Sequence, residues 1–308
     1  MTETGSISVV PLGGLGNQLF IVLGAWSIAQ SLGMNLVINL YNVDNNKSGH
    51  GSSVRDFRLD ALHDTELITR PPERLGFIPR LYFRARQFGL GTRPKVISLR
   101  LGNSEHIKLV NHPPINLRPK RAEVLLDAYL QDLSLIEGLP SSLINSFFSL
   151  NNPSLDFLRQ KNYIEANKPV VLHLRRGDYL NPHSFHRHGV LTSQYYSNAL
   201  DYLNLNRSKD KVVIFTDTPE EGRSLMKHLG LSKGTVLSAD TSASEELVLM
   251  SLGRALVMAN STFSWWSAFL MKDGNRVVAP SPWLASRPRP ANIFKQSWEE
   301  ITAVYAKS

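Results

Sequence analysis

Residues 6–10, Ser-Ile-Ser-Val-Val, have the apolar weight of a buried strand, and the glycine turn Gly13-Gly14-Leu15-Gly16-Asn17 follows at once. An apolar stretch over residues 18–32 then predicts a helix, and a second apolar run, residues 35–40, predicts another strand. Strand, tight turn, helix and strand form a βαβ opening, which implies a parallel sheet with its ligand edge at the strand C-termini. From residue 41 to about 119 the pattern weakens, because prolines at 71, 72, 79, 94, 113 and 114 interrupt every long element. Loops, short helices and an edge strand are expected there, then a strand over 123–129 and a helix within 134–150. A second unit is expected to begin between 151 and 168.

The second half alternates β-branched runs with capped helices. Strands are predicted over 169–174, 211–215, 255–259 and 276–279. Thr218-Pro219-Glu220-Glu221 reads as an N-cap, a proline at the first helical position and a capping-box glutamate. Ser242 with Glu245 repeats the device, and Gly253 fits the stop of that helix. Ser297 with Glu300 marks a last helix running to about Ala306. Such alternation predicts an α/β chain of two doubly wound domains, 1–160 and 161–308, facing each other across a cleft.

Bulk composition narrows the class. With 308 residues and 42% hydrophobic content the chain can bury two medium cores. It has no cysteine, so no disulfide staples it and no thiolate serves as nucleophile or soft ligand. The start lacks a basic segment followed by a long apolar run, and no stretch reaches the roughly 18 apolar residues of a spanning helix, so a cytoplasmic protein is expected. Twelve Lys and Arg against Glu73 and Glu105 give residues 70–121 a charge of +10, against +8 for the whole chain. Arg80, Leu81, Tyr82, Phe83, Arg84, Arg86 and Phe88 interleave bases with aromatics, which suits an anionic membrane surface, nucleic acid or a plain solvated basic face.

Four clusters carry candidate chemistry. The strand ending His173-Leu174-Arg175-Arg176-Gly177-Asp178 puts His173 and Arg175 on one face and Arg176 on the other. Guanidinium forks there suit phosphate oxygens, and the plainer alternative is a strand-end salt bridge to Asp178. Asn260-Ser261-Thr262-Phe263 stands where a strand passes into a helix, so free N–H groups and two hydroxyls make an anion seat. Trp265 and Trp266 beyond it read better as core than as ligand stackers. In the first glycine turn Leu19 replaces a third glycine and no acid closes the next strand, which argues against a nicotinamide site. Phe215-Thr216-Asp217 sends a carboxylate to the same sheet edge. His183, His186 and His188 lack partners at metal-ligand spacing and are better placed as loop or acceptor-side groups. The sequence holds no G-x-x-x-x-G-K-[ST], H-E-x-x-H or G-x-S-x-G.

Taken in order, Gly13-Gly14-Leu15-Gly16-Asn17-Gln18-Leu19-Phe20, His173 to Tyr179 and Asn260 to Trp266 resemble the α-1,2-fucosyltransferase family, glycosyltransferase family 11. His188-Gly189 leading to Tyr195-Tyr196, and Phe215-Thr216-Asp217, extend the likeness, while residues 45–120 add little to it. The resemblance implies a GT-B-like fold of two Rossmann-type domains, the first on the acceptor side and the second binding the donor. It further implies GDP-β-L-fucose as donor, a galactose 2-hydroxyl as acceptor, inversion at the anomeric carbon, and no cofactor or metal. Arg175 and Arg176 fall in the donor motif, and Asp178 is the first candidate for general base. Gly14, Gly16, Asn17, Gln18, His173, Asp217, Glu245, Asn260, Ser261, Thr262 and Phe263 complete the expected substrate site. Asp217, Asp240 or Glu245 is expected to accept from guanine. The alternatives are a related enzyme with another nucleotide sugar or acceptor and, more remotely, a non-catalytic polyanion or membrane-binding protein. No nucleic-acid partner is expected. A lipid-linked acceptor would give residues 70–121 a purpose at the inner face of the plasma membrane.

Overall fold

The computed structural model describes residues 5–40, 54–63, 65–68, 95–98, 105–107, 115–117, 123–237, 241–286 and 292–306. The chain divides into two compact units, Met1–Asn151 with Ala291–Ile293, and Asn152–Pro290 with Phe294–Ser308.

In the first unit β1 (Ser6–Val9), α1 (Leu15–Leu32) and β2 (Asn35–Asn39) form the expected βαβ opening. The helix starts three residues before the expected Gln18, directly from Gly14, and most of its surface is buried. Gly33 stops it with φ 60° and an N–H that reaches Ala29 and Gln30 O. There follow β3 (Thr65–Ile68), β4 (Lys95–Ser98), β5 (Glu105–Ile107), β6 (Ile115–Leu117) and β7 (Glu123–Asp127). The main sheet has the order β3-β2-β1-β7-β4, parallel except for β4, which runs antiparallel to β7. The helix expected within 134–150 is two, α2 (Leu133–Glu137) and α3 (Ser141–Phe147), because Gly138 and Pro140 separate them. Apart from the backbone of β4, β5 and β6, the basic stretch 70–121 lies outside the described residues.

The second unit holds α4 (Leu155–Asn167), β8 (Val170–Leu174), α5 (Pro182–His188), α6 (Ser193–Tyr202), β9 (Val212–Thr216), α7 (Pro219–His228) and β10 (Gly234–Leu237). It continues with α8 (Ala243–Met250), β11 (Ala255–Val257), α9 (Thr262–Phe269), β12 (Arg276–Ser281) and β13 (Glu299–Thr302). All six strands are parallel, in the order β10-β9-β8-β11-β12-β13. β8 and β9 are buried along their whole length, as strands covered on both faces must be. The boundary falls at Asn151–Asn152 rather than 160/161, because α4 belongs with the second unit, where the Ser154 N–H donates to Glu245 Oε1 at 2.5 Å.

Three local expectations fail for identifiable reasons. The last helix is absent: residues 299–302 pair with 278–281 as β13, and Ile301 packs on the core. Thr218 caps α7 without a side-chain bond, its own N–H being taken by Thr216 Oγ1 at 3.1 Å. Gly253 is not the stop of α8, which ends at Met250. A Cβ there would meet Val171 Cγ2 at 2.6 Å, so the glycine permits close packing on β8.

Candidate active site

The strand order turns back on itself between β8 and β11, since successive strands add to one side of β8 and then to the other. In an open parallel sheet the crevice beyond the C-termini at such a reversal is where ligands bind. The two main motifs lie immediately after these two strands.

After β8 the guanidinium of Arg175 is held by two carboxylates. Its Nη1 lies 2.8 Å from Asp217 Oδ2 and its Nη2 2.5 Å from Asp178 Oδ1, and the charge stands 5.6 Å from the centre of the Tyr179 ring. Arg176, also beyond the end of β8, is engaged differently. Its buried Nε donates to Glu221 Oε2 at 2.6 Å and its Nη1 to Arg175 O at 3.0 Å. Asp217 joins the two residues, because its Oδ1 also accepts the Arg176 N–H at 3.0 Å. Gly177 makes room for it: with φ +29°, a Cβ there would stand 2.5 Å from Asp217 Oδ2. Each oxygen of Asp217 thus accepts from one of the two arginines.

After β11, Ser261 caps α9 by accepting the Phe263 N–H at 3.3 Å, and Thr262 is the first helical residue. This helix start adjoins the arginine turn. Tyr179 Oη donates to Asn260 O at 3.0 Å, and the His173 and Phe263 rings lie 5.7 Å apart. Asn260 fixes a third segment by donating to His188 O at 2.8 Å, while His188 stacks on Tyr179 at 4.9 Å. Trp265 and Trp266 are fully buried core residues. His173, Arg175, Arg176, Asp178, Asp217, Asn260, Ser261, Thr262 and Phe263 are therefore brought to one edge of one sheet.

Burial sets two titrations at this edge. His173 is 5% exposed and, among the described residues, its Nδ1 has no hydrogen-bond partner. Burial, with the nearby Arg175 charge, lowers its pKa to about 3, so the imidazole is neutral. Half-buried Glu246 is pushed the other way, up to about 7, by burial first and by Asp217 second, against the pull of Arg175. Its neighbour Glu245 is engaged by backbone at two helix starts. That side chain accepts the backbone N–H groups of Ser154 and Ser242, which hold the carboxyl below its usual range despite burial.

Four expected residues lie in the other unit. Gly14 is the N-cap of α1, Gly16 lies buried in its first turn, Asn17 Oδ1 accepts from Gln131 at 2.9 Å, and Gln18 donates to Gly13 O at 3.0 Å and accepts the Val54 N–H at 3.1 Å. Asp240 lies outside the described residues. Among the described residues no three His, Cys, Asp or Glu side chains are grouped to hold a metal ion. Glu221, Glu246, Tyr179 and Gly177 were missed as site residues: Glu221 reads as a capping group, and Glu246 is masked by Glu245 beside it.

Residues 154–302 match the family described as Glycosyl transferase family 11. That match makes this part of the chain similar to family 11 glycosyltransferases. That span contains every group at the β8–β11 edge. The chain is 30% identical over 183 residues to O-antigen biosynthesis glycosyltransferase WbnK of Escherichia coli, covering 56% of this chain and 59% of the relative. It is 25% identical over 276 residues to the alpha-1,2-colitosyltransferase of Escherichia coli, covering 88% and 90%. Galactoside alpha-(1,2)-fucosyltransferase 1 of Bos taurus matches at 28% over 143 residues, 44% of this chain and 39% of that protein. Among solved structures, NodZ alpha-1,6-fucosyltransferase soaked with GDP-fucose superposes with a TM-score of 0.51 at 15% identity, over 91% of this chain and 96% of its own. The last likeness is one of fold, the GT-B-like arrangement of parallel-sheet α/β units in succession.

Proposed function

We propose that this glycosyltransferase moves L-fucose from GDP-β-L-fucose to the 2-hydroxyl of a terminal galactose, with inversion and without a metal. The observation that carries the reading is the partly exposed Arg175 guanidinium at the sheet reversal, adjoining the capped start of α9. Loss of GDP from the anomeric carbon builds negative charge on the β-phosphate. An arginine fork and a helix N-terminus placed in advance stabilise that charge, and losing one such donor costs about two to three powers of ten in turnover. Arg175 and the Ser261–Thr262 start take that role, and Arg176 supports them from behind. His173 and Glu246 are the groups suited to the base, since a neutral imidazole and a carboxyl can both meet a purine edge. Asp178 is the candidate base for the acceptor hydroxyl. The acceptor side is assigned to the first unit.

Two relatives named for α-1,2 transfer support the linkage, and one of them transfers colitose, which is fucose without its 3-hydroxyl. GDP-colitose is accordingly the second donor to consider. Purified protein incubated with GDP-fucose, GDP-colitose and UDP- and ADP-sugars over a galactoside panel, with and without chelator, tests all of this by mass spectrometry. Chelator-resistant transfer from a GDP-sugar is expected. Transfer from only a UDP- or ADP-sugar would discard the donor reading.

A further inference from the structure

Arg175 offers two amino groups, and each is occupied by a carboxylate of very different standing. Asp217 is 11% exposed and is fixed twice more, by the Arg176 N–H at 3.0 Å and by the space that Gly177 leaves for it. Asp178 is 57% exposed and, among the described residues, its side chain is bonded only to Arg175, three residues back. Such a pair in solvent is weak, whereas a guanidinium gripping a phosphate is strong. An incoming diphosphate therefore exchanges with Asp178 and leaves Asp217 in place.

We infer that Asp178 closes the open edge of Arg175 until the donor diphosphate takes its place, and that the displaced carboxylate then becomes the general base, so the donor must bind first. The inference rests on the donor reading above. Only a side-chain rotation is needed, because the backbone turn is anchored: Tyr179 N–H donates to Arg176 O at 2.7 Å, Asn181 N–H to Asp178 O at 3.2 Å, and Tyr179 Oη to Asn260 O at 3.0 Å. In the step itself the acceptor O–H proton passes to the Asp178 carboxylate and the acceptor oxygen bonds to the anomeric carbon. The bond from that carbon to the β-phosphate oxygen breaks, its electron pair leaving with GDP. A carboxylate still paired with Arg175 is a poorer base, so hand-over ties proton removal to donor occupancy.

Asp178→Asn in the full chain separates this from a mere orienting role. GDP is the probe, titrated calorimetrically without acceptor, with UDP and ADP as controls and circular dichroism to verify folding, which an isosteric change at an exposed site leaves intact. Removing a competitor tightens GDP binding about two- to fivefold, the scale of a solvent-exposed ion pair. Transfer falls by about 10²–10⁴, the scale of a lost general base. Unchanged or weaker GDP binding in the variant, with wild-type binding intact, overturns the hand-over alone. Wild-type transfer in the variant overturns the base. A wild-type protein that binds no GDP removes the donor reading and this inference together.

Discussion

Glu246 and His173 bring burial into the pH dependence of the fold with opposite signs. The Glu246 carboxyl, raised to about 7 from an ordinary 4.5, keeps its proton in the native state between those values while the unfolded chain has released it. Stability therefore falls as pH rises through that window, and the cost is complete above it. Glu246→Gln removes the cost. After discounting for partial exposure, a gain of about 1–3 kcal/mol at pH 8, absent near pH 4, is expected from urea unfolding. A variant no more stable than wild type at pH 8 would refute the raised carboxyl. His173, lowered to about 3, acts in reverse, and its contribution is lost as pH falls below the ordinary 6.5. The arginines divide along similar lines. Strand alternation does not extend to them, since β8 ends at Leu174, and the sequence could not show which one keeps an open guanidinium, because Glu221, the partner of Arg176, is 45 residues away. Arg175→Ala is expected to lower transfer about 10²–10³-fold with unchanged melting. Arg176→Ala removes a buried guanidinium that ties the turn after β8 to Glu221 of α7, so its melting temperature drops as well, and equal melting of the two variants would contradict that division.

At the level of elements, the signals that held are those whose partners are local. Ser242 and Glu245 form both bonds of the predicted capping box, each within three residues. The same pattern at Thr218 and Glu221 failed because a buried guanidinium outbid the backbone for that carboxylate. At Ser297 and Glu300 it failed because pairing with β12 outweighed helix propensity. Glu245 exceeds its prediction, since it also receives the Ser154 N–H at the start of α4 and so pins two helix starts with one side chain. Glu245→Ala should cost about 1–3 kcal/mol, the sum of two caps, seen as a lower urea midpoint with an unchanged slope. A loss confined to a few tenths would mean that solvent replaces the carboxylate at both helices.

For the whole molecule, the parallel second sheet was legible because its strands are continuous apolar runs, and its motifs fell at the strand ends where such a sheet binds ligands. The first unit was legible at its βαβ opening and at β7, which falls within the strand expected over 123–129. Between them prolines and bases break every period, and an antiparallel β4 beside β7 leaves no local trace. Those bases also concentrate the charge of the chain, +10 within 70–121 against +8 overall, so the remainder is slightly acidic. No helix among the described residues is long and apolar enough to cross a membrane. If the acceptor is lipid-borne, each well-placed base in that stretch would contribute about 1 kcal/mol toward anionic headgroups. The full chain is expected to co-sediment with phosphatidylserine vesicles and not with neutral ones, and to be released by salt. Changing Arg80, Arg84 and Arg86 to Gln should weaken that binding by about two powers of ten. GDP affinity should not move, because every group at the β8–β11 edge belongs to the second unit. Sedimentation indifferent to lipid charge would discard the membrane role and leave the nucleotide site untouched.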